Sequence, residues 1–481
     1  VIPVSALRAL QRQPRWVRLL LVAIVARLLT FGNPIVHVDE SFYFTTARAM
    51  LGGALPYVDI WDRKPIGLFL LYLPAAAFGV PLGIWVYQAM ALAAVVATAA
   101  MIARFADRSG WQRGAMAGAV GYILWLDLLG GAGGQAPVFY NLLMIAAAWL
   151  IAPSERDAEP GARLRRGLAA MALVGVALQI KYTVVFEGVF FGLWWLWREW
   201  RLSRRAPRVL AGGALLAMTA LLPTIAAWGY YAAIGQSEAF LYANVRSIAA
   251  RQPDPLSEQL LNLAQIVLIT SPLYAAAILA WRREKAGGVR GWLFAWLIAA
   301  TLGLLAFGSW FDHYALPVLV PLTIAVAGFV DDPRRSRKIA VGVLVLAFVG
   351  AQTTTAINRH NRGTPAQFGA VAATIGTGPG CLYVFSGDSM MYAYSGRCRL
   401  SRYVFPSHLG RVRERGAIGV DQQAEIERIL AQRPEIVVVR GKYPGERAEL
   451  RTMVLQKMAV DYRLRGSPPL GSGKILIFER R

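Results

Sequence analysis

Between positions 37 and 65 the chain gathers His37, Asp39, Glu40, Asp59, Asp62, Arg63 and Lys64, side chains that can move protons and hold anions. Ionisable groups beside a lipid phase are costly, so such a cluster carries functional weight. Asp39 and Glu40 open the segment SFYFTTARAML, with apolar Phe42, Ala49 and Met50 and polar residues between them. That pattern reads as an amphipathic helix resting on a membrane surface. Asp39 then suits its N-cap and Glu40 its dipole, roles that remain compatible with chemistry. In WDRKPIG, Pro65 suits the first turn of a following helix. Arg63 and Lys64 can anchor lipid head groups or clamp a phosphate at the membrane surface.

Further candidates lie far along the chain. Lys181 falls between the apolar stretches 167–180 and 183–197, either snorkelling or facing a cavity. Arg246 and Arg251 sit in the loop 235–258, and SWFDHYALP supplies Asp312, His313 and Tyr314. His37, Asp39, Asp312 and His313 could together take a divalent cation, without local ligand spacing. No Cys/His zinc spacing exists. GSGK (471–474) lacks the rest of a P-loop, and GGAGGQ (130–135) stands outside any strand–helix unit. Arg27, Asp127 and Glu187 lie in or at the ends of apolar spans, where pairing inside a bundle is the default.

The elements that position these residues follow from composition. Of 481 residues, 56% are hydrophobic and 16% charged, with mean hydropathy +0.44. A soluble domain carries about 25% charged residues, so a water-soluble enzyme is excluded for most of the chain. Apolar segments fall near 17–34, 82–103, 114–129, 137–152, 167–180, 183–197, 209–234, 259–281, 291–308, 314–330 and 339–357. The stretch 66–80 is either a further crossing or a short helix on the outer face. The reading is an α-helical polytopic membrane protein with eleven crossings, twelve or thirteen at most. Arg8–Arg18 followed by apolar Leu19–Leu29 lacks a small-residue cleavage site and reads as an uncleaved first span.

The net charge of +23 reflects sidedness rather than nucleic acid. With the N-terminus in the cytoplasm, inner segments hold 24 Lys and Arg and outer segments hold 6. The positive-inside rule then places the loop 35–65 and the C-terminus outside. Beyond 357 the composition changes. Short apolar runs at 381–385, 436–439 and 474–478, with helical patterns at 421–432 and 446–458, predict a soluble α/β domain over 358–481 after a transmembrane module over 1–357. Cys381 and Cys398 both lie in it, as a disulfide or as two buried thiols.

The stretch HVDESFYFTTARAMLGGALPYVDIWDRKPIGLFLLY (37–72) resembles the GT-C-type glycosyltransferases of the protein-mannosyltransferase and aminoarabinose-transferase kind, that is, glycosyltransferase family 39 and its bacterial relatives. The shared marks are Asp39-Glu40 early in the first outer loop and Lys64-Pro65 near the next helix. GQAPVFYN (134–141), the Lys181 segment and FDHYALPVLVP (311–321) look like further landmarks. The family's common Lys-Pro-Pro is Lys64-Pro65-Ile66 here. The resemblance implies a bacterial cytoplasmic-membrane enzyme that moves a sugar from a polyprenyl-phosphate carrier to a hydroxyl of a glycan, lipid or protein acceptor outside. It implies Asp39 as general base, made more basic by desolvation at a cavity edge. Glu40, His37, Asp62, Arg63, Lys64, Lys181, Arg246, His313 and Tyr314 are the substrate-binding candidates, with Lys64, Arg63, Lys181 and Arg246 as cations for the lipid phosphate. A single attack opposite that phosphate inverts the anomeric centre. No cofactor is required, although a divalent metal is compatible, and no nucleic acid is expected as partner. The rival readings are a lipid-linked glycan polymerase or ligase using diphosphate carriers, and a non-enzymatic flippase. For the latter, no internal repeat with matching broken helices is visible.

Overall fold

The structure, a computed structural model, describes residues 12–282, 287–332 and 337–481. The stretch 1–11 and residues 283–286 and 333–336, which carry part of the expected inner positive charge, lie outside the described residues.

A backbone in lipid must satisfy its own N–H and C=O groups, which favours helices. Among the described residues five helical stretches are long and apolar enough to cross a membrane: Leu82–Arg108, Ala206–Ala233, Leu256–Trp281, Gly288–Phe307 and Lys338–Ile375. Shorter apolar helices span Ile66–Ala77, Ala115–Leu128, Ala136–Ile151 and Leu319–Asp331. The chain is a multi-pass membrane protein. Each expected apolar segment falls on a helix, though the first helix ends at Ala26 and the ambiguous stretch 66–80 contains a helix of 12 residues.

Two compact units emerge. The first comprises Val1–Leu29, Ala89–Ala226 and Leu256–Thr355. Within it the helices Ala115–Leu128 and Leu319–Asp331 pack backbone to backbone. A Cβ added at Gly118 would stand 2.5 Å from the Thr323 carbonyl oxygen, so only glycine permits the approach. The buried charges find partners that the sequence left open. Arg27 Nε lies 3.6 Å from Asp127 Oδ1, and its guanidinium donates to the carbonyls of Gly131 and Gly133. Glu187 Oε1 accepts the Trp296 indole N–H at 2.7 Å.

The second unit comprises Thr30–Gln88, Ala227–Pro255 and Ala356–Arg481. Its sheet has strands β1 (Leu382–Ser386), β2 (Ile436–Arg440), β3 (Tyr462–Gly466), β4 (Pro469–Leu470) and β5 (Gly473–Arg480). The order is β1-β2-β5-β3, with β1 and β2 parallel, β5 antiparallel to β2 and β3, and β4 paired to β5. The fully buried β1 and the VVV of β2 reflect a sheet covered on both faces. Helices Gln422–Ala431 and Ala448–Asp461 bury Ile426, Ile429, Leu450 and Val454 into the same core. Trp61, far away in sequence, completes it. Its indole lies 5.5 Å from the Tyr403 ring, and the Trp61 backbone N–H donates to the Arg402 carbonyl at 2.9 Å. Cys381 and Cys398 form a disulfide.

Candidate active site

Helix Val38–Leu51 carries the two carboxylates. Its N-cap is His37, not Asp39: the imidazole Nδ1 accepts the Asp39 N–H at 3.2 Å. This frees the Asp39 carboxylate from capping. The helix does not lie open on a membrane surface either, because Glu40 through Ala47 are all buried. Its polar residues are small enough to be satisfied inside: Ser41 Oγ donates to the Pro34 carbonyl and Thr45 Oγ1 to that of Ser389. Burial of such a face becomes affordable once its hydroxyls are bonded.

Asp39 remains partly accessible, its side chain 18% exposed. Its Oδ1 lies 3.6 Å from Lys64 Nζ and its Oδ2 lies 3.8 Å from His37 Nδ1. Glu40 is fully buried. Burial pushes the Tyr43 phenol well above its usual range, and Asp39 adds to the effect, so this neighbour stays neutral.

The segment 57–64 delivers the cations. Tyr57 adopts φ 70, and its N–H donates to the Ile60 carbonyl, closing a turn. That left-handed conformation is unusual for a bulky residue. The Tyr57 ring is wedged against Tyr231 and Phe240, and its hydroxyl donates to the Lys64 carbonyl at 2.9 Å. Asp62 then folds the chain around itself. Its Oδ1 accepts the N–H groups of Arg63 (2.6 Å) and Lys64 (3.1 Å), while its Oδ2 takes Lys64 Nζ at 3.1 Å. The ammonium also faces the rings of Phe42, Tyr43 and Phe405 at 5.4–5.6 Å. Burial works against the Lys64 charge, but Asp62 and Asp39 outweigh it and raise its pKa above the ordinary lysine value.

Arg63 turns elsewhere. Its Nη2 donates to Glu414 Oε2 at 2.6 Å, and Glu414 Oε1 also meets Arg251 Nε at 3.1 Å. Burial would raise the Glu414 carboxyl, yet Arg63 and Arg251 hold it down at about 2. Arg246 is exposed and paired with Glu238.

Lys181, His313 and Tyr314 belong to the first unit. Lys181 Nζ sits 4.7 Å from the Tyr314 ring centroid and lines a small cavity of about 30 Å³ with Tyr140, Thr183, Glu187 and Tyr314. His313 Nδ1 contacts Asp312 Oδ1 at 3.2 Å. Among the described residues no group of three or more His, Cys, Asp or Glu is placed to hold a metal ion.

Two residues of this site escaped the sequence reading. His408 Nε2 stands 3.7 Å from Asp62 Oδ2, and Glu414 grips Arg63. Glu414 had one visible signal, an acid between Arg413 and Arg415 in an otherwise basic run. His408 had none.

No protein-family model and no curated protein sequence matches this chain. Solved structures do. The crystal structure of ArnT from Cupriavidus metallidurans bound to undecaprenyl phosphate aligns with TM-score 0.66 and 15% identity, over 96% of this chain and 98% of that one. The apo state of the same protein gives 0.65 and 17%, over 96% and 97%. An Archaeoglobus fulgidus oligosaccharyltransferase tethered with an acceptor peptide gives 0.50 and 12%, over 88% and 69%. At such identities the likeness is one of fold: this chain has the GT-C-type fold of ArnT, the fold expected from the stretch 37–72.

Proposed function

We propose that this chain is an integral-membrane glycosyltransferase that moves a sugar from a polyprenyl-phosphate carrier to an acceptor hydroxyl on the outer side of the membrane. The observation that carries this reading is the Asp39–Lys64 pair, a partly accessible carboxylate 3.6 Å from a cation that two carboxylates keep charged. The similar ArnT structure from Cupriavidus metallidurans is bound to undecaprenyl phosphate, which supports a lipid-phosphate donor.

In the reaction, the Asp39 carboxylate takes the proton of the acceptor hydroxyl as its oxygen attacks the anomeric carbon. The bond from that carbon to the carrier phosphate breaks with its electron pair, leaving charge on the phosphate oxygen. A phosphate leaving group needs a fixed cation rather than a proton. Lys64 supplies one from this site, and Lys181 is the second candidate, from the first unit's cavity. Arg63 and Arg246 serve less well, since Glu414 and Glu238 already engage them. One displacement inverts the anomeric centre.

The test is transfer by the purified protein in lipid nanodiscs from a panel of polyprenyl-phosphate pentoses and hexoses, with the anomer of the product assigned. Release of polyprenyl phosphate with an inverted linkage is expected. No transfer from any member, or a retained linkage, would overturn the reading. The likeness to an oligosaccharyltransferase favours a ligase as the second reading, and release of polyprenyl diphosphate would select it.

A further inference from the structure

The C-terminal segment does more than fold beside the loop that carries Lys64. His408 sits on the short helix Pro406–Gly410, its side chain 3% exposed. Trp61, Phe42, Phe405 and Tyr403 surround its ring edge to face, with centroids 4.8–6.4 Å away. The nearest acid to the ring is Asp62, at 3.7 Å from Nε2, with Glu414 acting on it from further away. Asp62 is itself only 2% exposed, and the same oxygen, Oδ2, holds Lys64 Nζ at 3.1 Å. Gln422 fixes the helix from behind by donating to the His408 carbonyl at 2.8 Å, and Arg447 fixes Gln422. Six residues further on, Glu414 holds Arg63. The segment 408–414 therefore grips both residues that immediately precede Lys64.

We propose that His408 is a positioning residue, which orients the Asp62 carboxylate and through it the Lys64 ammonium beside Asp39. Resting on the reading of Lys64 as the donor-phosphate cation, this gives the C-terminal domain a part in the reaction. The physical ground is electrostatic. In an apolar box a polar ring nitrogen near a carboxylate, here at 3.7 Å, weighs far more than in water. Burial, outweighing Asp62 and Glu414, lowers the His408 pKa to about 4, so at neutral pH the ring is neutral. A neutral ring packed 3.7 Å from Oδ2 limits where Asp62 can sit without competing with Lys64 for its negative charge. A small displacement of a catalytic cation costs about 100-fold in rate.

The experiment compares His408→Phe, which keeps the aromatic contacts without an N–H, with His408→Gln, whose amide keeps a donor. Two readouts are taken on the full-length protein in nanodiscs: transfer kinetics, and the rate at which an amine-acylating reagent labels Lys64, followed by peptide mass spectrometry. For His408→Phe a kcat fall of about 10- to 100-fold is expected with donor KM changed less than about threefold, together with faster labelling of Lys64. His408→Gln should restore both to within about threefold of the parent. In an Asp62→Asn background His408→Phe should add nothing, because the two act in series. Unchanged Lys64 labelling and kcat in His408→Phe, or an equal further loss in Asp62→Asn, would overturn the proposal. Absence of transfer by the parent protein would instead refute the glycosyltransferase reading, while the labelling comparison would still decide the role of His408. Should His408→Phe fail to fold, His408→Leu gives the same readouts.

Discussion

Lys64 Nζ stands 3.6 Å from Asp39 Oδ1, yet its shorter contact, 3.1 Å, is to Asp62. The cation is thus held by one carboxylate and shared with another. Replacing Lys64 by Met should lower transfer by about 100- to 1,000-fold, the usual cost of one lost charge-stabilising donor. Lys64→Arg should recover only part of it, since a planar guanidinium does not fit a site built for a compact ammonium. Steady-state kinetics with labelled donor checks both, and full activity in Lys64→Met would remove it from the reaction.

Glu414 makes stability depend on pH. Its folded pKa of about 2 lies below the ordinary 4.5, so its contribution is fully present above about 4.5 and is lost as pH falls towards 2. The shift is worth about 3 kcal/mol. Glu414→Gln should therefore unfold at lower temperature at pH 7 and show a flatter loss of stability between pH 4.5 and 2. Thermal unfolding across that range tests it; parallel curves would contradict the account.

The disulfide between Cys381 and Cys398 closes a loop with a sequence separation of 17. A loop of that size is worth about 3 kcal/mol in the chain-entropy description. The same loop carries Met390–Ser395, the helix that packs on Val38–Leu51. Reduction, or Cys398→Ser, should lower the unfolding temperature and leave Lys64 labelling unchanged at 25 °C. An unaltered melting curve would contradict this.

Lys181 offers a contrast. It lines a cavity with Glu187 and lies over the Tyr314 ring. If it meets the carrier phosphate, Lys181→Met should raise donor KM by about tenfold or more and leave acceptor KM within about twofold. The reverse pattern would assign it to the acceptor.

Much of this was legible in the sequence for physical reasons. Apolar length announces helices that cross lipid, and three short apolar runs announce the strands at 382–386, 436–440 and 473–480. Asp39 and Lys64 stood out because charge beside a membrane is costly. The helix Val38–Leu51 misled because amphipathy alone does not say what covers a polar face. Here Ser41 and Thr45 bond to carbonyls, one of them more than 300 residues away at Ser389, and no local pattern encodes that. His408 was hidden for the same reason. The place of Trp61 in the core under the sheet was hidden too, since a tryptophan beside an apolar span normally signals an interfacial belt.

Asp39→Asn keeps the shape and removes the base. With a labelled polyprenyl-phosphate sugar as donor, the account predicts a fall in kcat of at least about 100-fold, at an unfolding temperature equal to that of the parent. Transfer by Asp39→Asn within about threefold of the parent rate would contradict it.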